Sequence, residues 1–296
     1  ACGHDAHTSM LLGAAKVLTA VKDELPGSVM LIFQPAEEGA PFGEEGGADL
    51  MLKEGIWDER KPDAVFGIHV GVAHGDALVV ATSGPAMAAS DRYEITVKGR
   101  QTHGAMPWDG VDPIVVASQI VLGLQTIASR QVNVTEAPSI ISVGRIAGGV
   151  RNNVIPDEVE LEGTIRTFDA DMRKEIHERI ERTARGIAEA SGAGIEFELE
   201  LGYPALINDP ELYDRMLPTL ERVTSVARGK PHTTAEDFSY FALETPGLYV
   251  FLSNGPKGGD PRYAAPNHSP LFDMYEPNLE TGVRILSSLV VDYLQD

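Results

Sequence analysis

Two short apolar runs, residues 29–33 (VMLIF) and 64–68 (AVFGI), constrain the fold of this 296-residue chain more than any other feature. Neither run alternates between apolar and polar side chains, so both faces of each predicted strand need cover, as in a parallel sheet between helices. Asp5 or Thr8 can cap a helix before the first run, and a shorter helix near residues 48–53 separates the two runs. This alternation of helix and strand predicts an α/β domain with a mostly parallel sheet.

The middle of the chain has a different pattern. Its predicted elements follow the order β-α-β-β-α-β of a ferredoxin-like unit, namely strand 92–98, helix 113–130, strands 139–146 and 158–168, helix 170–191 and strand 195–201. Beyond residue 208 the α/β pattern returns, with a helix at 211–226, a strand at 248–252 and a helix at 277–294. The sequence therefore predicts one discontinuous domain, residues 1–88 and 206–296, interrupted by an inserted α+β domain, residues 89–205.

Composition excludes several classes of partner. With 44 acidic and 24 basic residues the net charge is −20, which disfavours a nucleic-acid surface and means that an anionic ligand needs a few placed cations. No run of eighteen apolar residues occurs, so no membrane partner is predicted. A single cysteine excludes an internal disulfide and leaves the compartment open between cytoplasm, the default, and periplasm or secretion. Because the sequence does not begin with Met, we expect an N-terminal segment outside it.

Four separate clusters carry residue types that bind metals. They are Cys2 and His4, the pair Glu37 and Glu38, His69, and His268. The Glu pair and His69 come directly after predicted parallel strands, at the edge of an α/β sheet where ligand sites collect. Cys2 precedes a predicted helix, whose dipole favours a thiolate. A loop histidine or a Glu pair alone is usually a solvated surface residue, so the metal interpretation depends on the joint placement of the clusters.

Two adjacent glutamates after one strand allow a division of labour. One carboxylate can bind a cation while its neighbour takes a proton from the attacking water. Two divalent cations about 3.5–4 Å apart would lower the pKa of that water and polarise a carbonyl group. The mixture of imidazole, carboxylate and thiolate donors suits Zn²⁺, Mn²⁺, Ni²⁺ or Co²⁺.

Four motifs resemble those of one group of metallopeptidases, which contains hippurate hydrolases, indole-acetyl-amino-acid hydrolases and N-acyl-L-amino-acid amidohydrolases. They are residues 1–8 (ACGHDAHT), 34–39 (QPAEEG), 67–70 (GIHV) and 267–270 (NHSP). The resemblance implies hydrolysis of the amide bond of small N-acyl amino acids by a protein that holds two divalent metal ions. It further implies that Cys2 bridges the metals, that His4, Glu38, His69 and His268 are the other ligands, and that Glu37 is the catalytic base.

The inserted domain also resembles the lid and dimerisation domain of this family. Residues 100–107 (RQTHGAMP) are similar to the family's lid motif, which implies that His103 stabilises the tetrahedral intermediate in the partner subunit of a homodimer. Asn153 and Arg166, thirteen positions apart, match the substrate-binding residues of the wider superfamily. An Arg fork is the natural clamp for a carboxylate, although Arg166 could instead form an ion pair on the sheet surface.

The sequence departs from the family pattern in two places. The upstream strands of the family lie outside this sequence, and residues 40–47 form a longer connection after the Glu pair than is usual. Residues 236–239 (EDFS) resemble a family segment that we expect to support the site structurally. The remaining histidines are assigned to surface, loop or supporting positions, namely His7, His74, His177 and His232.

Three alternatives stay open from the sequence. A cysteine hydrolase would use Cys2 as its nucleophile but leaves the Glu pair and the two distant histidines unexplained. A metal-binding chain without activity would hold metal but hydrolyse no acyl amino acid. A dipeptidase or carboxypeptidase on the same fold differs only in substrate.

Overall fold

The computed structural model describes residues 1–39, 44–71 and 78–295. Part of the long connection at 40–47 and all of His74 therefore lie outside the described residues. The helices are α1 His4–Ala20, α2 Gly47–Lys53, α3 Pro113–Thr126, α4 Ala170–Ala190, α5 Pro210–Val223, α6 Phe238–Glu244 and α7 Pro277–Gln295. The strands are β1 Val65–Gly71, β2 Val79–Ala81, β3 Gly84–Met87, β4 Ala89–Lys98, β5 Thr102–His103, β6 Ser139–Gly148, β7 Val154–Ile155, β8 Glu158–Thr167, β9 Gly194–Leu201, β10 Leu206–Asn208, β11 Val226–Arg228 and β12 Gly247–Ser253.

The chain divides into two compact units. The first comprises Ala1–Ala86, Leu206–Pro231 and Asp237–Asp296, and the second comprises Met87–Ala205 and His232–Glu236. Both contain helices and strands, so the predicted mixed α/β content is confirmed. None of the described helices has the length and apolarity that crossing a membrane requires.

The first unit is built on a four-stranded sheet in the order β1-β12-β2-β11. Two of its three pairings, β1 with β12 and β2 with β11, are parallel, and β12 pairs with β2 in antiparallel fashion. The strand β12 is buried almost throughout, as its apolar sequence predicts. Helices α1, α5 and α7 supply the apolar side chains that cover the sheet. The β1 strand lies at one edge of this sheet.

The second unit is an antiparallel sheet in the order β6-β8-β4-β9, packed against α3 and α4. This order is that of a ferredoxin-like split βαβ unit. Helix α4 begins at Asp169, whose side chain accepts a hydrogen bond from the Met172 N–H at 2.8 Å. Its buried residues recur every four positions, which presents one apolar stripe to the sheet. The opposite face of the sheet carries charged side chains.

A buried ion pair fixes α4 to β4 in this unit. Asp91, which is 2% exposed, accepts hydrogen bonds from Arg173 Nε and His177 Nε2, both at 2.8 Å, and from the Gly202 N–H at 3.1 Å. Burial would raise the pKa of Asp91, but these donors outweigh it and hold that pKa at about 2. His177 is therefore a structural partner of a buried carboxylate and does not lie on a helix surface.

The prediction of a buried strand over residues 29–33 is wrong. The segment forms no strand pairing, and Met30 and Phe33 are 44% and 45% exposed. An apolar run indicates that both faces of a strand would be buried, but it does not show that a neighbouring strand is available to pair with it. The N-cap prediction is also wrong, since α1 begins after Gly3 and not after Asp5 or Thr8.

Candidate metal centre

Gly3 turns the chain into α1 and sets the positions of Cys2 and His4. Its φ of 90° lies in the left-handed region, and a Cβ at this position would stand 2.4 Å from a Val70 methyl group. This close approach brings the donor atoms of Cys2, His4 and His69 within 4.8 Å of one another. Only glycine meets both requirements, so it is the glycine in this motif that joins the two clusters.

A second left-handed residue directs the glutamate pair. Ala36 has a φ of 55°, which is unusual for a residue with a side chain. The turn that it starts is closed by a hydrogen bond from the Gly39 N–H to the Ala36 carbonyl at 3.2 Å. Glu37 Oε2 then lies 3.7 Å and Glu38 Oε1 3.8 Å from His4 Nε2. Both carboxylates thus face the cluster that Cys2 and His4 begin.

The segment that carries the Glu pair is held by the buried side chain of Asp237, which is 1% exposed. Its carboxylate accepts a hydrogen bond from Gln34 Nε2 at 2.5 Å and another from the Ala48 N–H at the start of α2 at 2.8 Å. Gln34 lies three residues before Glu37, so Asp237 ties the segment that carries the pair to a helix. The expected supporting role of residues 236–239 thus has a specific physical form at Asp237.

His268 completes the cluster from a loop. It has a φ of 67°, and its N–H donates to the Ala1 carbonyl at 2.7 Å, which holds the loop against the beginning of the chain. Its Nε2 lies 3.0 Å from Glu38 Oε1. The donors of Cys2, Glu38 and His268 form a second group within 4.8 Å, and Cys2 belongs to both groups.

The tautomer of His69 follows from its hydrogen bond. His69 Nδ1 lies 2.6 Å from the Val70 carbonyl, and a carbonyl oxygen can only accept, so Nδ1 carries the proton. Nε2 then carries the lone pair and accepts from the Cys2 thiol, whose Sγ lies 3.6 Å away. His69 lies inside β1, two residues before its end, and not after it as the sequence predicted.

The donors fit divalent cations. His4 Nε2 is buried and has no hydrogen-bond partner among the described residues, as expected of a lone pair reserved for a metal. Sulfur, nitrogen and carboxylate oxygen donors converge from separate stretches of chain, which matches the borderline-soft metals named above. Since Cys2 and Glu38 carry negative charge when they bind a metal, cations would compensate charges that are costly to bury.

Electrostatics at the cluster are dominated by burial. Burial raises the pKa of Cys2 to about 11, with Asn267 opposing it and Glu38 and Glu37 adding to it. The expectation that the helix dipole stabilises a Cys2 thiolate is therefore wrong for the protein without bound cations, since burial beside carboxylates outweighs the dipole. Burial, Asp237 and Glu38 likewise raise the pKa of Glu37 to about 7.

The structure brings His103 and Asn153 together in the second unit. Strands β5 and β7 pair with His103 opposite Val154, and the Gly104 N–H donates to the Asn153 carbonyl at 2.8 Å. His103 Nδ1 accepts the Ala105 N–H at 3.0 Å, so in the neutral ring the proton is on Nε2. The exposed His103 ring therefore presents an N–H donor.

Arg166 lies in β8 at a cavity of about 450 Å³ in the second unit. Two other guanidinium groups line this cavity, and each is paired with carboxylates, Arg92 with Glu162 and Glu200, and Arg145 with Glu162. Arg166 forms no ion pair among the described residues. Its Nη1 donates to Thr164 Oγ1 at 2.5 Å and to the Ile165 carbonyl at 3.1 Å.

Arg166 therefore does not form the surface ion pair that was the alternative interpretation from the sequence. The guanidinium is half-buried, and this burial lowers its pKa. Asp91, which also lines the cavity, acts on the guanidinium electrostatically and raises its pKa, but it forms no ion pair with Arg166, so Nε and Nη2 are available to an anionic ligand.

Sequence reasoning missed the contributions of His7, Asn267 and Thr164. His7 was assigned only to a surface, loop or supporting position in general, although it lies three residues after His4, a spacing that places both on one helix face. Asn267 and Thr164 each stand inside a quoted motif, but their hydrogen bonds depend on backbone geometry that the sequence does not show.

The fold and this donor cluster are those of a metal-dependent hydrolase. A model of peptidase family M20/M25/M40 matches residues 1–292. Thermostable carboxypeptidase 2 of Saccharolobus solfataricus is 36% identical over 294 residues, covering 99% of this chain and 73% of that protein. The N-acyl-L-amino acid amidohydrolase of Geobacillus stearothermophilus is 42% identical over 211 residues, covering 71% of this chain and 55% of that protein.

A solved structure gives the same result. A Bacillus subtilis protein described as a dinuclear metal binding peptidase of the M20 family has a TM-score of 0.81 and 32% identity, covering 99% of this chain and 73% of that one. The chain belongs to peptidase family M20/M25/M40 and is a metal-dependent hydrolase. This membership favours metal-dependent hydrolysis over a cysteine hydrolase.

Proposed function

We propose that the protein hydrolyses the amide bond of N-acyl amino acids, releasing a carboxylic acid and a free amino acid. Glu37 is the general base, and the ligands of two divalent cations are Cys2, His4, Glu38, His69 and His268. The observation that carries this proposal is the convergence of these donors from four stretches of chain; Cys2 belongs to two of the donor groups, as His4 and Glu38 also do. A thiolate shared in this way would bridge two cations.

The chain's own residues account for the proton transfers. Glu37 accepts a proton from the attacking water as its oxygen adds to the amide carbon, and delivers that proton to the leaving nitrogen as the C–N bond breaks. Bound cations would lower the pKa of the water and polarise the carbonyl. The Asp237 anchor keeps the Glu37 segment in place during both transfers.

Substrate recognition would come from the second unit. Arg166, the unpaired guanidinium, binds the carboxylate of the amino-acid part, a local attraction that the net charge of −20 makes necessary. Asn153 is a further substrate contact in this assignment. His103 presents its Nε2–H to the oxyanion of the tetrahedral intermediate.

Exposed apolar side chains support a homodimer formed through the inserted domain, which would act as lid and dimerisation domain. Those on α3 are Ile114, Val115 and Leu122, and the β6 edge strand adds Ile146. A Cβ added at Gly149 would lie 3.5 Å from Ile114 Cδ1, which places the end of β6 beside the helix. An apolar surface next to an open strand edge suits a symmetric partner, which buries the same patch on both subunits.

Carboxypeptidase activity is the second candidate, because relatives named carboxypeptidase match the whole chain. Both reactions use a substrate with a free carboxylate next to the scissile amide, so Arg166 serves either. Elemental analysis for Zn, Mn, Ni and Co, with a panel of hippurate, N-acetyl amino acids and dipeptides, separates the two. Higher kcat/KM on dipeptides than on every N-acyl amino acid would overturn the proposal.

A further inference from the structure

Strand β1 lies at the open edge of its sheet, and the backbone groups of Val70 point away from the neighbouring strand. The Gly71 carbonyl accepts from the Asn254 N–H at 2.8 Å on the β12 side. Adjacent residues of a strand direct their N–H and C=O groups to opposite sides, so those of Val70 face the unpaired edge. Val70 is fully buried, and both groups therefore need partners other than water.

Three side chains supply these partners. The Val70 N–H donates to His7 Nε2 at 2.9 Å. The Val70 carbonyl accepts from His69 Nδ1 at 2.6 Å and from Asn267 Nδ2 at 3.0 Å. The Asn267 amide also donates to the Cys2 carbonyl at 2.9 Å, which joins the strand edge to the segment that begins the metal centre. Side chains thus replace the missing neighbouring strand at this residue.

We propose that His7 is a positioning residue for His69 and acts through the backbone of Val70. The inference rests on the proposed function only in taking His69 as a metal ligand. By accepting the Val70 N–H, His7 fixes the end of β1 so that the Val70 carbonyl receives the Nδ1 proton of His69. His69 Nε2 is then held beside Cys2 as the unprotonated nitrogen that can bind a metal. The Asn267 amide closes the same arrangement from the other side.

A ring contact and the protonation of His7 add to this arrangement. The rings of His7 and His69 lie 4.3 Å apart, so a rotation of either ring displaces the other. Since an acceptor nitrogen carries no proton, neutral His7 must be protonated at Nδ1. His7 Nε2 is used by the Val70 N–H, which distinguishes His7 from a further metal ligand. Outer partners of this kind orient metal-binding histidines and fix their tautomers.

The test compares His7→Gln with His7→Leu in the full chain. A Gln carbonyl oxygen can take the place of Nε2 as acceptor, whereas Leu fills the space without accepting. Leu18→Ala, a buried change in the same helix, controls for general loosening of α1. Zn²⁺ affinity of the metal-free proteins is measured by competition with a chromogenic chelator. We expect about 10- to 100-fold weaker binding for His7→Leu, and binding by His7→Gln and Leu18→Ala within about threefold of wild type.

Nitrogen-15 NMR of the histidine rings in metal-free protein gives a second readout that does not depend on activity, and its wild-type part does not depend on any variant. Wild type should show His7 and His69 both protonated at Nδ1, and His7→Leu should show a mixture of tautomers at His69. Protonation of wild-type His7 at Nε2 overturns the proposal, as does unchanged Zn²⁺ affinity in His7→Leu. Loss in His7→Gln or Leu18→Ala equal to that in His7→Leu overturns it too. Wild type that binds Zn²⁺ but hydrolyses no substrate contradicts the proposed function alone.

Discussion

Replacing Arg166 with alanine tests the substrate assignment most directly. Two of the five guanidinium N–H groups are engaged, since Nη1 donates to Thr164 and to the Ile165 carbonyl. Nε and Nη2 remain as a fork of the geometry that can bind a carboxylate bidentately. A hydrogen bond to a charged group contributes about 1.5–3 kcal/mol, so losing the fork should cost about 2–3 kcal/mol, or roughly 30- to 150-fold in KM.

The assay is the KM for an N-acetyl amino acid and for its carboxamide, which lacks the charge. Arg166→Ala should raise the first KM by that factor and change the second by less than about threefold. Arg145→Ala is the matched control, because Arg145 lines the same cavity but is already paired with Glu160 and Glu162. Equal losses on acid and carboxamide, or an equal effect of Arg145→Ala, would show that Arg166 has a structural role.

The remaining predictions concern the metal centre, the inserted domain and the assembly. Glu37→Gln should keep both metals and lose about 10²- to 10⁴-fold in kcat, since the water loses its proton acceptor; steady-state rates with elemental analysis decide, and wild-type activity would remove Glu37 as the base. Cys2→Ala or His268→Ala should lower metal content and activity together, and full occupancy in both variants would contradict the ligand assignment. Asp91 has a pKa of about 2 in the folded protein against 3.8 unfolded, so its contribution to stability is complete at neutral pH and is lost as pH falls. In urea unfolding, this contribution should be about 1 kcal/mol smaller at about pH 3 than at about pH 6. Asp91→Asn should lack this part of the pH dependence. If His103 acts across a dimer, the His103→Ala and Glu37→Gln homodimers should each be inactive. After subunit exchange, each heterodimer has one intact site and should show about half of the wild-type activity. Demonstrated exchange without activity would exclude action of His103 in trans.

Most elements of the inserted domain could be predicted because their periodicities are strong. Strand β8 alternates buried and exposed residues along its length, and α4 repeats its apolar residues every fourth position. The segment at 29–33 failed for a physical reason. Apolarity reports the cover that a strand needs, whereas pairing depends on a neighbour elsewhere in the chain.

The candidate site was predictable in its donors but not in its geometry. Side-chain chemistry pointed to donors that the structure brings together, yet the left-handed backbones at Ala36 and His268 have no signature in residue type. The sequence also could not distinguish Arg166 from Arg92 and Arg145. All three project from strands of one sheet, and only the positions of the neighbouring glutamates determine which one is unpaired.

The metal centre joins residues from nearly opposite ends of the chain, as in the contact of Asn267 with Cys2 across 265 positions. During synthesis at roughly 5–20 residues per second, Cys2 therefore leaves the ribosome many seconds before His268 exists. On the proposed ligand assignment, no shorter nascent chain holds the complete donor set, so full-strength binding of both cations would come only after the last loop closes. Their binding would then stabilise the native state by mass action, about 4 kcal/mol at a free concentration one thousand times Kd. Metal supply would thus govern how long the finished fold lasts and have little influence on how it first forms.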